Sequence, residues 1–465
     1  MSQKWWVLAS VGCGTFMATL DSSIVNIALP TLTKELGLDL SRVKWVVIIY
    51  LLVLTCLLLP FGRLSDQKGR KLIFQTGYII FVIGSALCGM APNLTWLVVF
   101  RAIQAIGAAM LMANGPAIIS ATFSSKDRGA ALGTLAMVVS TGLVTGPSVG
   151  GFLISTFGWR SIFWINIPIG FLGILLVNYF LKKDIHHSRQ QFDWAGAVLQ
   201  TLLLILFMAV FDPPLISISG SFPFHFPRWG AGLVLLFLGT LFFKVESVAK
   251  APLFDFSLLK NRTFWSANLA GFLTFVAFSS ITVLMPFFLE EVLHFPPQKA
   301  GFLMTAIPLT IFVVAPISGR LSDRLGSQEL SFSGALVGVL GLFAMAGVFG
   351  LGLSHRTTEA GIIMGLCSIG LATGLFQSPN NNAIMGSVPH HKLGVASALL
   401  ATVRNLGLVT GAGLATSVFT WRLETTRDFV ASFHTTWLIA GFIGIGALVA
   451  SLGKRPARLE TGDAS

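Results

Sequence analysis

Charge is what this chain has least of. Only 11% of its 465 residues are Asp, Glu, Lys or Arg, where a soluble globular chain carries about a quarter. That deficit excludes an ordinary water-facing surface. Cysteine is scarce in number: Cys13, Cys56, Cys88 and Cys367 all fall inside apolar runs. They have neither disulfide nor metal-ligand spacing, so small core residues are expected. Histidines pair as neighbours, His186 with His187 and His390 with His391, too close together for a metal site on one helix face. The sequence has no phosphate-binding glycine loop, no Ser/His/Asp constellation and no filter-like loop. These absences argue against ATP as the energy source, against an enzyme and against a channel. Neither a cofactor nor a metal is expected.

What the chain does have is apolar surface, 54% of its residues, with a mean hydropathy of +0.80. A helix needs about 20 apolar residues to cross a bilayer, and fourteen such runs can be traced, from Trp5 to Leu29 through to Thr435 to Leu452. The first is too long for a signal-peptide core and is expected to remain as a helix. The eighth, Trp229 to Val248, is the weakest because Lys244 and Glu246 lie near its end. The formal charge of +12 comes from residues scattered over short loops, which disfavours nucleic acid as a partner. Lys and Arg concentrate in the loops on the N-terminal side, so both termini are expected in the cytoplasm of a cell-membrane (inner-membrane) multi-pass protein.

Five residues occur twice. Gly62 to Asp66 (GRLSD) returns as Gly319 to Asp323, each copy after a long apolar run and each followed by a further glycine, Gly69 or Gly326. Two distant copies at matching places indicate an internal duplication of the kind found in transporters. Six runs precede residue 182 and six follow residue 262, with two between. The expected organisation is all-α and polytopic: a six-helix bundle over 1–181, two inserted transmembrane helices over 182–262, and a second bundle with its tail over 263–465.

Several polar side chains interrupt these runs. Thr15, Thr19, Ser22 and Asn26 form a stripe on the first helix, with Asp21 about 100° away. A carboxylate at such depth costs about 2.5 to 3.5 kcal/mol and marks a functional position by default. The alternatives are an aspartate wetted at the outer interface, or one locked to a neighbouring helix. Arg101 and Gln104 share a face of the fourth helix; Arg101 can hold a carboxylate or an anion but cannot carry a proton, and a structural arginine near the interface is its other reading. Gly142, Gly146, Gly150 and Gly151, with Pro147 among them, leave a bare face for close helix contact and a bend. In the second half Phe275, Phe278 and Thr282, and separately Gln377 and Asn381, supply an aromatic and amide lining suited to a greasy solute; the other reading of each Phe is a side chain facing lipid or ordinary core. Arg404 lies well inside its run. Among the acids of this half, Glu290 and Glu291 lie at an outer helix end and Asp323 in a loop.

Taken together these segments resemble the major facilitator superfamily, specifically its fourteen-helix drug:proton antiporter branch, over essentially the whole length. Leu20 to Pro30 (LDSSIVNIALP) is similar to the first-helix motif, Gly62 to Lys71 to motif A, and Arg101, Gln104 and Gly107 to motif B. Gly142 to Gly151 is similar to motif C, and Trp159, Arg160, Phe163, Asn166, Pro168 and Gly170 to a further family segment. The resemblance implies a major facilitator fold of two six-helix bundles plus two inserted helices, working by alternating access. It further implies that Asp66 and Arg70 latch the bundles, that Arg101 takes part in proton transfer, and that Asp21 couples or binds. The expected function is proton-coupled export of small hydrophobic or amphipathic compounds such as drugs. Its partners would be the substrate, protons and membrane lipids, and the expected state is a monomer. The alternative is a same-fold exporter of one metabolite, lipid or siderophore, with Arg101 and Arg404 clamping an anionic group.

Overall fold

Hydrocarbon offers no hydrogen bonds, so a chain crossing it must satisfy its backbone internally. The computed structural model describes residues 3–181, 193–211, 228–248, 258, 260–350, 355–388 and 393–453, and every element there is helical. The first half holds α1 (Gln3–Leu36), the short α2 (Leu40–Val43), α3 (Trp45–Lys68), α4 (Arg70–Gly89), α5 (Leu94–Thr122), α6 (Ser125–Phe157), the short α7 (Ser161–Trp164) and α8 (Asn166–Phe180). The inserted pair is α9 (Trp194–Phe211) and α10 (Arg228–Val248). The second half begins with α11 (Arg262–Phe287), which continues as a π turn over Phe288–Val292. It goes on through α12 (Pro297–Met304), α13 (Ala306–Leu325), α14 (Ser327–Gly350), α15 (His355–Gly386), α16 (Leu393–Thr426) and α17 (Phe429–Ser451). With α2, α7 and α12 set aside as short pieces, fourteen helices remain, as expected. Among the described residues, eleven stretches are long and apolar enough to cross a membrane. The boundary at residue 182, both histidine pairs and the turn of the inserted pair lie outside the described residues.

The duplication is physical. Gly69 and Gly326 each end a helix with positive φ, 100° and 95°, a conformation glycine adopts without a steric penalty. Their N–H groups donate to the carbonyls of Ser65 and Ser322, whose hydroxyls donate back to Gly62 and Gly319 at 2.7 and 2.8 Å. Packing repeats as well: α1 on α6 as α11 on α16, α4 on α5 as α14 on α15, and α4 on α8 as α14 on α17. Bare glycines set the register of each contact. Gly142 meets Phe16 as Gly407 meets Phe272; Gly77 lies on Gly107 and Leu111 as Gly334 lies on Ala372 and Phe376; Gly170 meets Val82 as Gly444 meets Val339. Residues on these helices of one half can therefore be matched to counterparts in the other.

An even number of crossings returns the chain to the face it started from, here termed the terminal end; the opposite end is distal. The halves meet through α6 with α12 and α13, and through α3 with α16. At the distal end Gly151 lies against the Pro297 carbonyl and Gly301 against that of Pro147. A side chain on either glycine would force the halves apart. The hydroxyls of Ser148 and Thr305 bond across the same seam, and Lys34 pairs with Glu291 at 3.1 Å. The inserted α9 packs on α3 and on α16, with Phe207 edge-on to Phe272 at 6.4 Å, so it spans both halves.

Candidate functional site

The buried carboxylate is the centre of the first half. Asp21 of α1 is fully buried, and Arg101 of α5 is 1% exposed. Arg101 Nη1 donates to Asp21 Oδ2 at 2.5 Å. Asp21 Oδ1 accepts from Gln104 Nε2 at 2.9 Å and from Asn166 Nδ2 of α8 at 3.0 Å. Arg101 also donates to Gln104 Oε1 at 2.7 Å and, through Nε, to the Val46 carbonyl of α3 at 3.2 Å. Its guanidinium lies over the Tyr50 ring at 4.1 Å and near that of Phe163 at 5.7 Å. Asn166 further donates to Ser85 Oγ of α4, which donates to the Phe163 carbonyl.

This cluster ties α1, α3, α4, α5, α7 and α8 together. Charge-assisted bonds to a buried carboxylate are about twice as strong as neutral ones, and here three of them converge on one group. Removing one partner of a buried pair costs about 3 to 5 kcal/mol, because the other charge is left without compensation. Arg101 lies two turns into α5, whose start is capped by Asn93, and its charge is turned inward onto Asp21.

The two residues expected to handle protons are therefore brought together, with Gln104 between them. The named partners of Asp21 all lie in the first half, and its side chain is fully buried among them. Ser22 is half-buried, and Asn26, one turn further on, donates its amide to the Ser22 carbonyl at 3.3 Å. Gly142, Gly146 and Gly150 lie against Thr19, Ser23 and Ile24 of α1, while Gly151 faces the other half; Pro147 sits inside an unbroken α6. Asp66 bonds to Arg70 at 3.0 Å within the first half, and Arg70 also donates to the Ala117 carbonyl. These named bonds run within the first half, and Arg70 has a further interaction besides them. The Asp323 side chain lies outside the described residues.

The second-half residues do not converge in the same way. Phe278 sends its ring into the core against Gly338 of α14, and Phe275 packs on Gly407 of α16. Thr282, Gln377 and Asn381 are half-buried. Arg404 is half-buried too, with no hydrogen bond or ion pair to any described residue.

Asn166 was visible in the sequence only as part of a family segment, and Ser85, Tyr50 and the Val46 carbonyl had no signal of their own. The glycine register adds what no local pattern could. The counterparts of Asp21, Ser85, Arg101, Gln104 and Asn166 are Ala277, Leu342, Leu366, Ile369 and Ala440, every one of them buried.

Comparison with known proteins agrees with this architecture. The chain is 35% identical over 461 residues to the riboflavin transporter RibZ of Clostridioides difficile, covering 97% of each. It is 31% identical to the uncharacterized transporter YebQ of Escherichia coli, over 89% of each. It is 28% identical to the multidrug resistance protein Stp of Mycobacterium tuberculosis, over 90% of this chain and 77% of that one. In fold it is similar to the crystal structure of the peptide transporter POT in complex with sulfate, with a TM-score of 0.69 at 16% identity over 95% and 94% of the two chains. A family model described as Major Facilitator Superfamily matches residues 11–412. The chain, a multi-pass membrane transporter, belongs to the Major Facilitator Superfamily.

Proposed function

We propose that this transporter exports a small amphipathic organic solute from the cell in exchange for protons, by alternating access between its two halves. The observation that carries this reading is the Asp21–Arg101 pair, buried and bonded across six helices of one half. Protonation of Asp21 would leave Arg101 uncompensated, at a cost of about 3 to 5 kcal/mol. Swinging a two-state equilibrium from 1:99 to 99:1 takes about 5.5 kcal/mol. The two figures are of one order, so a single proton at Asp21 would shift such an equilibrium through much of that range. A charge crossing 100 mV adds roughly 2.3 kcal/mol.

The test uses the full chain in proteoliposomes with an imposed pH gradient, and ethidium and riboflavin as probes. Wild type is expected to couple movement of a probe to proton flow, and Asp21→Asn to lose that coupling. Unchanged gradient-driven flux in Asp21→Asn would remove the pair from the mechanism.

A second reading, one dedicated metabolite, is favoured by Arg404. An unpartnered guanidinium inside a membrane helix suits a solute that brings an anionic or electron-rich group, and the similarity to a riboflavin transporter extends over nearly the whole chain. Arg404→Ala separates the readings: loss of riboflavin flux with ethidium flux intact supports the dedicated carrier, and equal loss of both supports the broad one.

A further inference from the structure

Two glycines of α10 stand apart from the register that the others set. A side chain added at Gly232 or Gly239 would meet no described residue within 4 Å. Glycine weakens a helix relative to alanine, and at Gly77 or Gly142 the close approach of a neighbouring helix explains its presence. No described helix comes that close to the pair on α10.

These glycines belong to a longer strip. Gly232, Leu236, Thr240 and Lys244 follow one another at intervals of four, and Leu235, Gly239 and Phe243 form the neighbouring row. Residues four apart stand above one another on a helix. Between the two rows runs an open, apolar groove of about 580 Å³, within the range of about 300 to 1,000 Å³ usual for clefts that hold small molecules. At 1.5 Å per residue it is about 18 Å long, close to the depth of one leaflet of a hydrocarbon core about 30 Å thick.

One charge closes the groove. Lys244 lies one turn before α10 ends at the terminal face, so its long side chain can carry the ammonium to the headgroup layer. It is exposed and has no ion pair or side-chain hydrogen bond to any described residue. Glu246, the nearest acid in sequence, stands about 160° away round the helix and is buried against Gly196 of α9. An apolar strip in a bilayer can be covered by a second copy of the chain or by a lipid. Copies share one orientation across the membrane, so a symmetric pair joined through α10 would bring two Lys244 ammonium groups to the same depth, where like charges repel. An anionic phospholipid offers the complementary pattern, with hydrocarbon for the groove and a phosphate for the lysine.

We propose that α10 holds one anionic phospholipid of the leaflet at the terminal end, with an acyl chain lying over Gly239 and Gly232 and the phosphate at Lys244. The inserted pair thereby serves as a lipid-docking element. The site depends neither on the transported solute nor on proton coupling.

The test uses full-length protein with a benzophenone photoprobe in place of Phe243, which lines the groove and is 53% exposed, in nanodiscs of equal phosphatidylglycerol and phosphatidylcholine. A control carries the probe in place of Phe442 on α17, 65% exposed. Mass spectrometry identifies the cross-linked lipid. At Phe243 phosphatidylglycerol is expected in about fivefold excess, the preference that one lysine near an anionic lipid supplies, and at Phe442 the adducts should follow the mixture. Lys244→Gln, a change at an exposed position, should return the Phe243 adducts to the mixture. Gly239→Leu, which fills the groove and keeps the charge, should do the same. The proposal is overturned if Phe243 shows no more preference than Phe442, if either variant keeps the preference, or if the adduct is a second copy of the chain.

Discussion

The two halves share a backbone and differ in chemistry. Glycine contacts repeat in register, from Gly142 on Phe16 to Gly407 on Phe272, yet five polar positions of the first half are Ala, Leu or Ile in the second. An apolar core at those positions is evidently enough to hold such a bundle together. The ion pair is therefore not required for folding as such, which accords with the finding that buried pairs are often no better than hydrophobic replacements. The pair gives the centre of the first half a buried charge that the matching positions of the second half lack, while the second holds Arg404, without a hydrogen bond or ion pair to any described residue.

The largest expected effect comes from breaking the pair unevenly. Asp21→Asn or Arg101→Met, each leaving one charge without its partner, should destabilise the protein by about 3 to 5 kcal/mol in denaturant unfolding. Copying the second half into the first, with Asp21→Ala, Arg101→Leu and Gln104→Ile together, should regain most of that loss while gradient-driven transport stays absent. A triple variant as unstable as the single ones would show that the halves are not interchangeable at this level.

Next come the shared contacts. Gly142→Ala and Gly407→Ala each press a methyl group into α1 or α11, and both should cost about 1 to 3 kcal/mol, as overpacking does. Gly133→Ala, with open space around it, should instead stabilise by up to about 1 kcal/mol through helix propensity. Opposite signs at Gly142 and Gly133 in the same thermal assay would confirm that packing rather than propensity selects the glycine.

Smaller still is Tyr50→Phe. It keeps the ring under Arg101 and removes only the hydroxyl bond to the Ala18 carbonyl, so a loss of about 0.5 to 1.5 kcal/mol is expected. Least of all is Lys4→Ala at the terminal end. Its pair with Asp127 is 38% and 43% exposed, and about 0 to 1 kcal/mol, falling with added salt, is expected from melting curves.

The sequence by itself determined the class of solvent, the helix count and the duplication. Each of these rests on local chemistry: apolar runs of a length set by the bilayer, and a five-residue turn whose serine and glycine perform the same bonding wherever they occur. It also picked out Asp21, Arg101 and Gln104 as costly or unusual residues, since a polar group in an apolar run is legible without knowing its neighbours. Only the tertiary structure decided that Asp21 meets Arg101 and Gln104, because α1 and α5 are far apart in the chain and their meeting depends on which faces the glycines let approach. The same holds for Asn166 and Ser85, ordinary polar residues until α8 and α4 place them against Asp21. It holds equally for Phe278, whose aromatic character suited a solute-lining wall but whose ring fills the core beside Gly338. Residue type fixes what a side chain can do, and the packing of helices fixes whom it does it with.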